Sequence, residues 1–122
     1  FMKCIDEGTE LSIFGDGTTS RDYTYIDDII DGVELALQKV GGYQIYNIGS
    51  GAPITLLNLI QAIGDVVGKS PVTRFAPMQQ GDVSRTYADV SRATSNLGFR
   101  PSTPLKQGLE QMSLWKSDLG NR

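Results

Sequence analysis

Histidine is absent from the 122 residues, and cysteine occurs once, at Cys4. An internal disulfide is therefore excluded, as are zinc sites of the Cys/His type, and no metal site is expected. Cys4 has no evident base or cation partner and reads as a small helix residue. No apolar run approaches the roughly 20 residues of a membrane span, and the N-terminus lacks a basic-then-apolar secretion signal. A cytoplasmic location is the default expectation. Cations are few and dispersed: 11 Lys and Arg against 14 Asp and Glu leave a net charge of -3, which argues against nucleic-acid or membrane partners. Any phosphate recognition must then be local. Gly-x-Gly occurs at Gly15 to Gly17 and at Gly49 to Gly51, in neither case completed by the third glycine of a dinucleotide-binding turn. The first leads into Thr18-Thr19-Ser20 and reads as a β-turn.

What is present suits one small α+β domain, since helices and short strands interleave without enough βαβ units for an autonomous doubly wound sheet. About four helices are expected. Leu11 to Phe14 reads as a strand. Thr24 then starts a helix, with Asp27 in capping-box position and Asp28 near the positive end of the helix dipole. Its Ile26, Ile29, Ile30, Val33, Leu37 and Val40 share one face, which predicts core, and Gly41-Gly42 stops it. Tyr43 to Ile48 alternates like a strand. Thr55 caps a second helix with Leu56, Leu59, Ile60, Ile63, Val66 and Val67 inward, ended by Gly68. Val72 to Ala76 predicts a strand, Pro77 to Ser84 a functional loop, and Tyr87-Ala88 a brief strand. Asp89 or Ser91 caps a short helix ending at Leu97-Gly98. In the last helix, with Thr103 as N-cap and Pro104 as first residue, Leu105, Leu109, Met112 and Trp115 line one side.

Arg21-Asp22-Tyr23-Thr24-Tyr25-Ile26-Asp27-Asp28 puts a fixed positive charge and two aromatic rings at the mouth of a helix. A guanidinium holds phosphate oxygens two at a time, and an aromatic face can cover a base or ribose, as a nucleoside diphosphate site requires. The alternative is a surface arginine with tyrosines as core filler. Asp27 and Asp28 point about a hundred degrees apart on a helix, so capping explains them better than shared acid/base or metal chemistry.

With Ile13-Phe14-Gly15-Asp16-Gly17 before it, Tyr46-Asn47-Ile48-Gly49-Ser50-Gly51 after it, and Pro77-Met78-Gln79-Gln80-Gly81-Asp82-Val83 ahead of Tyr87-Ala88-Asp89, this segment resembles the C-terminal part of the extended short-chain dehydrogenase/reductase family, the nucleotide-sugar epimerases and dehydratases. The resemblance runs from Phe1 to about Trp115. That family opens with a Gly-rich NAD-binding turn and carries a Tyr-x-x-x-Lys pair for proton chemistry, and neither occurs here. Residues 1–122 are accordingly expected to form a nucleotide-sugar (substrate) binding domain, with the NAD-binding Rossmann domain of the same parent protein absent from this chain. The start at Phe1 reads as a boundary inside a helix.

Residue by residue, the resemblance implies that Phe14 borders the uracil, with the main chain near Ser12 bonding the base. Arg21 corresponds to the diphosphate-binding arginine, Tyr23 to the aromatic beside ribose and base, and Asp82 to the acid that accepts the ribose hydroxyls. A core phenylalanine, a surface arginine, a core tyrosine and a turn-forming Gly-Asp are the competing readings. At Gln79 galactose-type epimerases usually have an arginine, whereas enzymes resembling UDP-glucuronate 4-epimerases have Pro-Met-Gln-x-Gly-Asp-Val, as here. Arg85 could supply the missing charge, but a solvated loop arginine is the simpler reading.

The resemblance implies a parent that epimerises UDP-glucuronate or a related UDP-sugar at C4 with NAD, with a homodimer as one assembly open to it. The alternatives are part of a 4,6-dehydratase or a noncatalytic nucleotide-sugar binding module. No catalytic residue is assigned, and the chain alone is expected to bind no NAD and to be inactive.

Overall fold

Leu11 and Ile13 point inward and Ser12 and Phe14 outward along β1 (Leu11–Phe14), the alternation of a half-buried strand. The computed structural model, which describes residues 1–120, pairs it in parallel with β4 (Thr73–Ala76), Leu11 opposite Thr73 and Phe14 opposite Ala76. A parallel pair needs a long crossover. That crossover carries α2 (Ile26–Gln38) and α3 (Leu56–Val67). A second ladder joins β2 (Ser20–Arg21) antiparallel to β3 (Ile54–Thr55). α1 (Met2–Glu7), α4 (Ser91–Leu97) and α5 (Leu105–Gly120) complete the expected α+β arrangement. The helix beyond the expected four is the N-terminal one, which holds Cys4.

The main core joins Met2 and Ile5 of α1, Leu11 and Ile13 of β1, Leu59, Ile60 and Ile63 of α3, and Leu109 of α5. α3 follows its local signals. Thr55 Oγ1 accepts the Asn58 amide at 3.2 Å, and Gly68 ends the helix in the left-handed conformation. Removing the side chain of fully buried Ile13 would cost about 2–5 kcal/mol. A second cluster, Ala93, Leu97 and Phe99, packs against Leu35, Ala36, Tyr46 and Ile48.

α2 corrects an expectation. Its Ile26, Ile30, Val33 and Leu37, together with Val40 just beyond it, are exposed, and its buried residues are Asp28 and Gly32. Periodicity identified the helix correctly but not the face that packs. Here the packed side faces Ile48 and the approach to α5: a Cβ on Gly32 would lie 2.8 Å from an Ile48 methyl, and Asp28 accepts bonds from Ser102 and Thr103. Nor does Thr24 cap the helix. Tyr25 stands at that position without a side-chain bond, while Thr24 Oγ1 accepts the Ser50 amide at 3.0 Å.

Tyr43 to Ile48 and Tyr87-Ala88 form no strand, because among the described residues no neighbouring strand offers them a ladder. In α5, Leu109 is buried, whereas Met112 and Trp115 are exposed. Among the described residues, no helix is long and apolar enough to cross a membrane.

Candidate functional site

β2 is short, but it is held on two sides. Arg21 pairs with Ile54 of β3, and Ser20 forms an isolated parallel bridge with Arg85, its amide donating to the Ser84 carbonyl at 2.9 Å. That bridge draws the 77–84 loop alongside Arg21. Arg21 Nη2 consequently meets Asp82 Oδ1 at 2.6 Å, although the residues are 61 apart in sequence. Arg21 Nη1 donates to the Ser20 carbonyl at 2.8 Å. The two side chains are 29% and 35% exposed, so the guanidinium is neither packed inside nor loose in solvent.

Gln79 is exposed and starts the turn that presents Asp82, whose amide donates to the Gln79 carbonyl at 3.3 Å. Phe14 is not a core residue: it lies on the outward side of β1 and is 40% exposed. Its register partner Ala76 immediately precedes the loop that carries Gln79 and Asp82, so the sheet ties Phe14 to that loop. Ser12 shares the outward side, its Oγ accepting from Arg74 at 3.4 Å.

Tyr23 diverges from the other candidates. Its ring packs against the main core, and burial raises its phenol pKa, opposed by the nearby positive charge of Arg21. It lines a groove of about 490 Å³ with Tyr25, Ile26, Leu59, Met112 and Trp115. Neither Arg21 nor Asp82 borders that groove. For Tyr23 the core role has direct structural support.

Asp22 is the organising residue that pattern reading missed. Its carboxylate accepts the amides of Ser50 at 3.1 Å, Gly51 at 2.9 Å and Ala88 at 3.2 Å, and also the Ser50 hydroxyl. Burial opposes its ionisation, but the Ser50 hydroxyl and these amides outweigh burial and hold the carboxyl below the ordinary range. Gly49 allows the approach, since a Cβ there would fall 2.9 Å from Asp22 Oδ2. The run Gly49-Ser50-Gly51 was a usable signal for an anion cradle, but nothing in sequence named a carboxylate as its occupant.

These contacts also decide how the glycine tripeptides fit a dinucleotide. Gly15 to Gly17 turns the chain after β1, and the amides after Gly49 are committed to Asp22. Neither tripeptide opens a helix, so the residues present do not fit a dinucleotide pyrophosphate.

Residues 1–112 match the family model described as GDP-mannose 4,6 dehydratase. The chain belongs to this family. It is 36% identical to the UDP-glucuronate 4-epimerase of Thermodesulfobacterium geofontis, over 97% of this chain and 36% of that protein. Its fold matches the UDP-glucuronic acid 4-epimerase of Bacillus cereus, solved with UDP-glucuronic acid and NAD, with a TM-score of 0.89 and 35% identity over 97% of this chain and 38% of the other. The UDP-glucose 4-epimerase of Thermotoga maritima, solved with UDP-glucose, gives a TM-score of 0.84 and 32% identity over 97% and 38% of the two chains. The chain thus spans just over a third of these relatives' length. The expected membership among NAD-dependent nucleotide-sugar epimerases and dehydratases is borne out.

Proposed function

We propose that this chain is the substrate-holding region of an NAD-dependent nucleotide-sugar 4-epimerase acting on UDP-glucuronate or a closely related UDP-sugar. The observation that carries this reading is the meeting of Arg21 with Asp82 in a fold shared with an epimerase solved with UDP-glucuronic acid. Arg21 holds the diphosphate, Asp82 the ribose hydroxyls, and Phe14, with the main chain near Ser12, the base. Exposure of Phe14 on the same sheet that leads into the 77–84 loop supports its part. Gln79, in place of a second cation, favours a substrate whose sugar carries its own negative charge.

Gripping the nucleotide is the contribution of these residues to turnover. Binding energy at the remote UDP group keeps the sugar from escaping while it reacts. NAD supplies the redox chemistry in this reading. A dinucleotide-binding domain of the same parent protein holds it, and no hydride or proton step is assigned to residues of this stretch. The exposed apolar side of α2 gives that domain a surface to cover.

The family model's description favours a second reading, a 4,6-dehydratase using the same anchor. Incubating the full-length protein with UDP-glucuronate separates the two by product mass. An epimer is isobaric with the substrate, whereas a dehydratase product is lighter by one water. The anchor itself is tested by calorimetry with UDP. Loss of a charge-assisted phosphate contact in Arg21→Ala should weaken binding by about 10- to 100-fold, and unchanged affinity would overturn the reading. Binding of UDP with no turnover of any nucleotide-sugar would instead indicate a noncatalytic module.

A further inference from the structure

The carboxylates of Asp22, Asp28 and Asp82 are held very differently. Asp22 and Asp28 each accept several backbone and hydroxyl donors, whereas the only donor to the Asp82 carboxylate among the described residues is Arg21 Nη2. Asp82 stands on an exposed turn, and both partners are about a third exposed, so a ligand can reach the pair from solvent. A carboxylate and a phosphate offer a guanidinium the same pair of oxygens and compete for the same donors.

We infer that Asp82 is a built-in competitor for the phosphate seat on Arg21, displaced without penalty only by a ligand that also brings a vicinal diol. The inference rests on the substrate reading above. When a phosphate takes Nη2, Asp82 loses its one donor and is left as an unpaired anion beside another anion, which is unfavourable. Two ribose hydroxyls donating to the carboxylate replace what it lost. Diphosphate and ribose recognition are thereby coupled through one side chain, and the coupling is reciprocal. Bare pyrophosphate, or a nucleotide without the diol, takes the seat but strands the carboxylate. Asp82 is thus a specificity residue as well as a ribose contact.

Calorimetry on the full-length protein with UDP, 2′,3′-dideoxy-UDP and inorganic pyrophosphate tests this. Asp82→Asn should tighten pyrophosphate and the dideoxy nucleotide by about two- to fivefold, the size of an exposed ion pair, while weakening UDP. A carboxylate standing clear of Arg21 and its phosphate seat would leave pyrophosphate unchanged. Asp16→Asn removes an equal charge from the Gly15–Gly17 turn, where its carboxylate bonds Thr18 and not Arg21, and should alter none of the three. Unchanged or weaker pyrophosphate binding in Asp82→Asn would overturn the inference, as would an equal gain in Asp16→Asn. If Asp82→Asn melted far below the native protein, Asp82→Ser would carry the same comparisons. Failure of the unaltered protein to bind UDP would remove the substrate reading and this inference with it, whereas UDP binding with an unaltered pyrophosphate response removes the inference alone.

Discussion

Asp28, from the first turn of α2, accepts the backbone amide of Thr103 at 3.0 Å, just ahead of α5. The same carboxylate takes the Ser102 amide at 3.1 Å and both hydroxyls, so an acid expected to serve its own helix anchors the start of another. Asp28→Ala would leave two partly buried amides without an acceptor and should cost about 1–3 kcal/mol. Urea unfolding measures this. A loss below half a kcal/mol would mean that the junction is held by packing instead.

Acid should loosen the fold through Asp22 and Asp28. Burial opposes ionisation of Asp28, but the amides and hydroxyls of Ser102 and Thr103 outweigh it, so both carboxyls titrate lower in the folded than in the unfolded chain. Their contribution is full above the unfolded value near about 4 and is lost as pH falls through the folded values. The urea midpoint should hold steady from neutral pH to about 5 and drop below about 4, with a smaller drop in Asp22→Asn. A midpoint that rose on acidification would reverse the assigned sign.

Gly32 is required by contact rather than by backbone angle. Alanine there improves helix propensity by up to about 1 kcal/mol, but its Cβ would stand 2.8 Å from an Ile48 methyl. Overpacking of this kind costs about 1–3 kcal/mol, so Gly32→Ala should be destabilising on balance. Adding Ile48→Ala should recover part of the loss, which a double-mutant cycle would detect as coupling.

Gln79→Arg should tighten UDP about two- to fivefold by adding an exposed cation beside the diphosphate, with little effect on stability. Under the uronate reading it should also shift preference from UDP-glucuronate towards uncharged UDP-hexoses. Relative kcat/KM values for the full-length protein would reveal it.

The 122-residue chain by itself should self-associate through α2. Replacing exposed Ile30 and Leu37 with lysine should favour monomer in sedimentation while changing stability by no more than about 0.5 kcal/mol at each site. The isolated chain should also show no epimerase turnover.

Local signals made α3 legible from Thr55 to Gly68, because its cap, its inward stripe and its stop all act within the segment or against neighbours in the same chain. α2 was equally legible as a helix. Which side it buries was not, since that depends on Ile48 and on the approach to α5. At the site, the residue types and their order pointed to Arg21 and Asp82 separately. Their ion pair depends on a bridge from Ser20 to Arg85, a long-range pairing that no local pattern encodes. Asp22 was hidden for the same reason, as its donors come from Ser50, Gly51 and Ala88.

The ribbon from Gln44 to Ile48 has a consequence for any measurement of motion. It has no ladder among the described residues, yet Ile48 is wedged against Gly32 and the Asn47 amide group donates to the Asp89 carbonyl at 3.2 Å. Its backbone N–H groups enter no ladder among the described residues, while the Tyr46 and Ile48 side chains pack against the Ala93, Leu97 and Phe99 cluster. Deuterium would enter these amides quickly, giving the kinetic signature of a slack segment to a stretch whose Ile48 methyl groups stay fixed. Methyl relaxation, rather than amide exchange, is the observable that reports order here.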